Sequence, residues 1–304
     1  TTSRNRLRRI MTPFLDLPDS VPQEADALIL PLPFEGSVSY GGGTAAGPAA
    51  ALAATGQVET WDEELGFDLE SLRYHTTEPV EPRASEPAGK YLERVSQAAR
   101  ELRRHRGLLI GLGGEHSLTP PLVHAAVDGP DDLSGVTVVQ FDAHSDLRDT
   151  FHDTPHSHAC AMRRLVERGA RVVAIGIRSA EKAEFEYGVA SGRVATFFAQ
   201  RLAEDRDCEK ELLSTLRSLT GPVYLTFDID ALEPALCPGT GTPQPGGLGW
   251  WPTCRYLRAL LRENRRCELL GCDVVETAPQ PGTAINEFTA AKLLAKIVAY
   301  RCAE

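Results

Sequence analysis

Several features are scarce in this 304-residue chain, and each scarcity excludes a class of protein. No apolar run approaches the ~18–20 residues of a membrane span, and the opening residues hold no secretory apolar core. Residues 1–9 are basic and polar instead, and read as part of a lead-in over residues 1–24. Basic charge is in deficit: 32 Lys and Arg against 42 Asp and Glu give a formal net charge of −10, which argues against a nucleic-acid partner and suits a cationic substrate. The seven cysteines are an odd number without a CxxC pair, so they fit reduced cytosolic thiols better than a disulfide framework or a zinc cluster. Neither GxxxxGK[ST] nor GxGxxG occurs, and Gly41-Gly42-Gly43 reads as a loop needing positive φ rather than a phosphate cradle. A soluble, cytoplasmic protein with no membrane partner is expected.

What is present is a regular alternation. Apolar, β-branched runs at residues 27–30, 107–112, 136–141, 172–177, 194–197, 223–229 and 268–275 read as buried strands. Amphipathic segments at 91–104, 117–126, 181–189, 209–219, 253–263 and 289–300 read as helices, and Pro48 opens another, where its missing N–H costs nothing. Strands alternating with helices predict an α/β fold, a single domain over residues 25–304 with a central parallel sheet covered on both faces. The Pro- and Glu-rich segment 78–87 is expected to be a surface loop within that domain. In such sheets ligands bind beyond the carboxyl ends of the strands.

Four strand ends carry the chemistry. Asp142-Ala143-His144-Ser145-Asp146 follows one apolar run and Asp228-Ile229-Asp230 another, while His116 and Glu276 end two more. Alternate side chains of a strand point the same way, so Asp142, His144 and Asp146 would converge if the extended chain persisted past Phe141. A lone Asp or His at a strand end is ordinarily a cap. Several carboxylates aimed into one crevice without Lys or Arg would raise one another's pKa sharply, and a cation is the economical explanation. Four carboxylates and two imidazoles without a thiolate favour manganese, magnesium or iron over structural zinc, and imidazole pulls the choice away from magnesium. Two ions, ~3.5–4 Å apart in such centres, would generate a nucleophile from a shared water.

Gly113-Gly114-Glu115-His116-Ser117, Phe141-Asp142-Ala143-His144-Ser145-Asp146 and Phe227-Asp228-Ile229-Asp230-Ala231-Leu232-Glu233-Pro234 together resemble the three signature motifs of the ureohydrolase family, which contains arginase and agmatinase. The resemblance implies a three-layer αβα fold and two manganese ions. One ion would be held by His116, Asp142, Asp146 and Asp228, and the other by Asp142, His144, Asp228 and Asp230. It further implies that His158 shuttles a proton to the leaving amine, that Glu276 pairs with the substrate guanidinium, that Asp146 handles the proton of a metal-bound hydroxide, and that His156 stands near the substrate or is a bystander. The loop 149–158 lacks the Asn by which arginase-like members hold an amino acid, and it looks more like the agmatinase pattern, as do segments 34–40, 58–65 and 159–164. Agmatine, giving putrescine and urea, is therefore the expected substrate of a homotrimer or homohexamer. Segment 41–47 departs from the agmatinase pattern by lacking an Arg-bearing stretch, which leaves guanidinobutyrate, guanidinopropionate, free guanidine, arginine and formiminoglutamate open. A metallophosphoesterase, or a non-catalytic metal-binding protein, is the reading from another class.

Overall fold

The computed structural model describes residues 11–127 and 131–303. Ten strands follow in chain order: β1 (Ala27–Leu32), β2 (Trp61–Asp62), β3 (Phe67–Asp68), β4 (Tyr74–Thr76), β5 (Leu108–Gly113), β6 (Thr137–Phe141), β7 (Arg171–Ile177), β8 (Val194–Phe198), β9 (Gly221–Asp228) and β10 (Cys267–Val275). The helices are α1 (Gly47–Thr55), α2 (Ala88–Leu102), α3 (Thr119–Ala126), α4 (Ala161–Glu167), α5 (Lys182–Ser191), α6 (Ala199–Glu204), α7 (Arg206–Ser218), α8 (Trp250–Arg258) and α9 (Ile285–Cys302).

Eight strands form one sheet in the order β4-β1-β5-β10-β9-β6-β7-β8, every pairing parallel; β2 and β3 make a separate hairpin. Burial on both faces explains the unbroken apolar runs. Ile29, Ile110, Val139 and Leu225 pack into one core with α1, α7, α8 and α9, whereas Leu28, Leu30, Leu109 and Val138 pack into the other with α2, α3 and α4. This is the expected αβα architecture. No helix among the described residues is long and apolar enough to cross a membrane.

Three local readings change. Tyr74–Thr76 is an edge strand and Ala161–Glu167 a helix, neither of which the hydrophobic pattern announces. The first ten residues of the lead-in lie outside the described residues. Its remainder packs on the domain: Phe14 is fully buried, with its ring tilted 54° to that of Tyr74 at a centroid distance of 5.1 Å. The glycine loop needs a left-handed backbone at Gly43 alone (φ 115°), and its Gly43 and Ala45 amides donate to the Glu35 carboxylate, which already fills the place of an anion.

The four strands that end in candidate ligands, β5, β10, β9 and β6, are consecutive in the middle of the sheet. Phe141 and Phe227, each one residue before a candidate carboxylate, stack with centroids 5.0 Å apart and lock the register of β6 against β9. Such a pair contributes about 0.5–1.5 kcal/mol beyond its buried area.

Candidate metal centre

The three ligands after β6 do not converge by strand alternation. The strand stops at Phe141, and Asp146 sits in the left-handed region (φ 52°), so bends rather than pleats aim the side chains. The result is two groups that share Asp142: His116, Asp142 and Asp228 on one side, and Asp142, His144 and Asp230 on the other. Backbone amides fix the carboxylates. His144 N–H donates to Asp142 Oδ1 at 2.6 Å, Asp230 N–H to Asp228 Oδ1 at 2.8 Å, and Ala143 N–H to Asp230 Oδ1 at 3.0 Å, which ties the end of β6 to the end of β9. Gly114 lets β5 turn tightly towards them, since a Cβ there would lie 2.0 Å from the carbonyl oxygen of Phe34.

His116 supplies the sharpest test of whether a cation fits. Its Nδ1 is buried and makes no aligned hydrogen bond, yet it lies 3.0 Å from Asp146, 3.1 Å from Asp142 and 3.4 Å from Asp228. On the other side of the ring, Nε2 is 2.8 Å from Thr226 Oγ1, and Thr226 donates its own proton to Asp273 at 2.6 Å. The Thr226 oxygen can then only accept from Nε2–H, so the second site, Nδ1, either carries a proton drawn there by the three carboxylates or, in the neutral ring, keeps its lone pair for a cation. A buried Nδ1 without a hydrogen-bond partner, facing three carboxylates, is the donor set an N/O-liganded divalent ion requires, the ion replacing the proton.

The electrostatics agree. Burial opposes charge on Asp142, Asp146 and Asp228, but the imidazoles of His116 and His144 override it at Asp142 and hold that carboxyl below its usual range. At Asp146 burial and then the Asp142 charge push the proton affinity up, and Asp228 rises well above its usual value through burial and then Asp230. His144 is opposed by burial but drawn up to about 12 by Asp142 and Asp230. The cluster holds more negative charge than its own imidazoles neutralise comfortably, and cations remove that conflict.

Above the cluster lies a cavity of about 400 Å³. Glu276 lines it, in the left-handed region (φ 65°); its Oε1 accepts from His116 N–H at 2.7 Å, and burial followed by the Glu115 charge raises its proton affinity well above the usual range. His158 also lines it, between Ser37 and Ser39, with its pKa lowered to about 4 by burial and then by His116 and His144. His156 is not brought to the cavity; its ring sits against Gly89 at the start of α2. The sequence reading missed Ser37, Ser39, Arg148, Glu181 and Gln244 in the wall, because polar loop residues carry no spacing that announces convergence.

Fold and site together define an αβα protein with a candidate two-cation centre at the carboxyl edge of a parallel sheet. Sequence comparison matches residues 25–300 to the arginase family. An N(1)-aminopropylagmatine ureohydrolase of Synechocystis sp. is 34% identical over 91% of this chain and 89% of its own length, and an agmatinase of Pyrococcus horikoshii is 34% identical over 93% and 95%. The crystal structure of an agmatine ureohydrolase of Thermoplasma volcanium superposes with a TM-score of 0.80 at 26% identity, covering 93% of this chain and 92% of that one. The chain belongs to the arginase family, and it is a hydrolase of the ureohydrolase type.

Proposed function

We propose that this chain is a binuclear manganese amidinohydrolase that cleaves agmatine to putrescine and urea. The observation that carries the substrate is the charge of the cavity wall. Asp146, Asp228, Asp230, Glu181, Glu184 and Glu276 line it, and among the described residues the lining includes one arginine and no lysine. That arginine, Arg148, has Nη1 2.8 Å from Glu181 and its guanidinium 4.9 Å above the Phe151 ring. Its charge is therefore already engaged, which disfavours a substrate carboxylate and favours an uncapped amine.

In this reading His116, Asp142, Asp146 and Asp228 hold one ion, and Asp142, His144, Asp228 and Asp230 the other; the oxygen and nitrogen donors without thiolate suit manganese. When bound, the two cations supply positive charge and a water acidic enough to attack at neutral pH. Glu276 spends Oε1 on the His116 amide, so Oε2 is left to accept from the planar guanidinium and orient it. Asp146 takes up the proton of the attacking water. An amine leaves poorly unless protonated, and His158 delivers that proton. The same proposal takes the protein to be a cytoplasmic homotrimer or homohexamer, in keeping with seven unpaired cysteines; light scattering tests the assembly.

A second substrate, N(1)-aminopropylagmatine, is favoured by the name of the Synechocystis relative and carries further uncapped amines. Urea release by manganese-loaded protein is to be measured with agmatine, N(1)-aminopropylagmatine, guanidinobutyrate and arginine. Turnover confined to the uncapped amines supports the reading. Turnover of the guanidino acids alone removes the substrate, and phosphatase activity without urea removes the reaction class.

A further inference from the structure

Glu115 is 1% exposed, precedes a candidate ligand and belongs to neither cation group. Its carboxylate accepts from Ser37 N–H at 2.5 Å, from Ser117 Oγ at 2.5 Å and from Ser37 Oγ at 3.1 Å. Ser37 in turn lies against His158, with Oγ 2.7 Å from Nδ1 and 3.1 Å from the His158 backbone N–H. A hydroxyl has one proton to give and two lone pairs to receive with. The carboxylate is the stronger acceptor, so the Ser37 proton goes to Glu115. Both lone pairs then receive, one from His158 N–H and one from His158 Nδ1–H. The alternative, in which Ser37 donates to Nδ1, strands one lone pair of Ser37 and withdraws a donor from a buried carboxylate.

We propose that Ser37 and Glu115 are positioning residues that fix His158 as its Nδ1–H tautomer and leave Nε2 to exchange a proton with the cavity. Nε2 is 2.8 Å from the hydroxyl of Ser39, a residue of the cavity wall, so this nitrogen faces the cavity. Nε2 takes a proton from solvent reaching the open cavity, and the imidazolium keeps Nδ1–H on Ser37. Transfer of the Nε2 proton to the amine nitrogen then returns the neutral Nδ1–H ring. The chain Glu115–Ser37–His158 thus does for a shuttle histidine what a directly bonded carboxylate does elsewhere: it orients the ring and supports its charge. Hydrogen bonds link residues 121 positions apart here, so neither motif reading nor spacing could reveal it.

This inference rests on His158 acting as the proton donor of the proposed reaction, and two readouts separate the two claims. Solid-state 15N spectra of magnesium-loaded protein with labelled histidine, taken for the native chain and for His158→Gln, isolate the His158 signals. The expected result is a protonated Nδ1 and a bare Nε2, with that preference lost in Ser37→Ala. A protonated Nε2 in the native chain, or an unchanged ratio in Ser37→Ala, overturns the proposal. In urea release from agmatine, Ser37→Ala is expected to lower kcat about tenfold, the scale of one hydrogen bond to a charged group, with KM within about twofold. Ser37→Thr restores most of the loss, and the loss vanishes when Ser37→Ala is placed in the His158→Gln background. An equal loss in both backgrounds overturns the proposal as a general structural defect. Should the native chain release no urea from any guanidino compound, the proposed function falls, and the tautomer spectra still decide the inference.

Discussion

Thr226→Val removes one oxygen from beneath the candidate metal centre and keeps the shape of the side chain. Thr119 Oγ1, 3.1 Å from the same oxygen, loses a hydroxyl neighbour, and two further buried groups lose a partner: His116 Nε2–H, whose acceptor was 2.8 Å away, and Asp273 Oδ1, whose donor was 2.6 Å away. Neither residue is more than 1% exposed, so water does not replace what is lost. Each orphaned buried group costs about 1–3 kcal/mol, or about 2–6 kcal/mol in all. With an unfolding entropy of roughly 0.6 kcal/mol per kelvin for a chain of about this size, Tm is expected to fall by about 3–10 °C. The effect on the metal is more specific. Without Thr226 nothing holds the proton on Nε2, and the tautomer protonated at Nδ1 cannot ligate. Affinity for the ion held by His116 is expected to drop about 10–100-fold, the usual scale for losing an outer partner of a ligating histidine, while the other ion is bound as before. Manganese titration calorimetry reads both sites, and thermal denaturation reads Tm. Two sites of native affinity in Thr226→Val would refute the tautomer assignment, and with it the reading of His116 as a ligand through Nδ1.

Three further outcomes are expected. Asp142 is shared by both groups of candidate ligands, so Asp142→Asn should weaken both ions by at least about 100-fold where Asp230→Asn weakens only one; equilibrium dialysis with elemental analysis distinguishes them. Lys296 is 1% exposed and lies 2.8 Å from Asp62, which is 3% exposed, so Asp62→Asn leaves a buried ammonium with less compensation. The cost should be about 3 kcal/mol, at the low end for a broken buried pair because Glu64 remains at 3.2 Å, and urea denaturation should show a lower midpoint at unchanged slope. His124 has an orphaned buried Nε2, and burial, then Arg168 and Arg100, lower its pKa from 6.5 to about 4. The unfolded chain binds this proton at higher pH than the folded one, so the contribution of His124 is fully present above pH 6.5 and is lost as pH falls towards 4. His124→Gln should flatten the decline of stability in that window, measured by denaturation at a series of pH values.

The parts of the fold that were legible in the sequence are those dictated by short-range pattern. The runs 136–141 and 223–229 hold the strands Thr137–Phe141 and Gly221–Asp228, because both faces are buried and an unbroken apolar run satisfies that. Tyr74–Thr76 has three residues, too few to show any period, and it is a strand only because the edge of β1 offers it partners. Ala161–Glu167 carries Arg163 and Arg164 in seven residues and is helical because Met162 and Leu165 are packed from below. The candidate ligands were legible by residue type, but they do not converge by the alternation of an extended strand. Asp146 reaches His116 through a left-handed bend, and Asp228 and Asp230 are separated by a tight turn rather than by a pleat. The wall of the cavity was the least legible. The pairing of Arg148 with Glu181 and the chain from His158 through Ser37 to Glu115 join distant loops, and only the assembled sheet brings those loops together.

In the proposed reaction two cations at the shared Asp142 convert this cavity into a guanidinium hydrolase. That conversion is tested most directly by urea release from agmatine as manganese is titrated into chelator-stripped protein. Activity rising from baseline and reaching its plateau at two equivalents per chain is the outcome expected here. Urea release that ignores added manganese, or that saturates at one equivalent, would contradict the account.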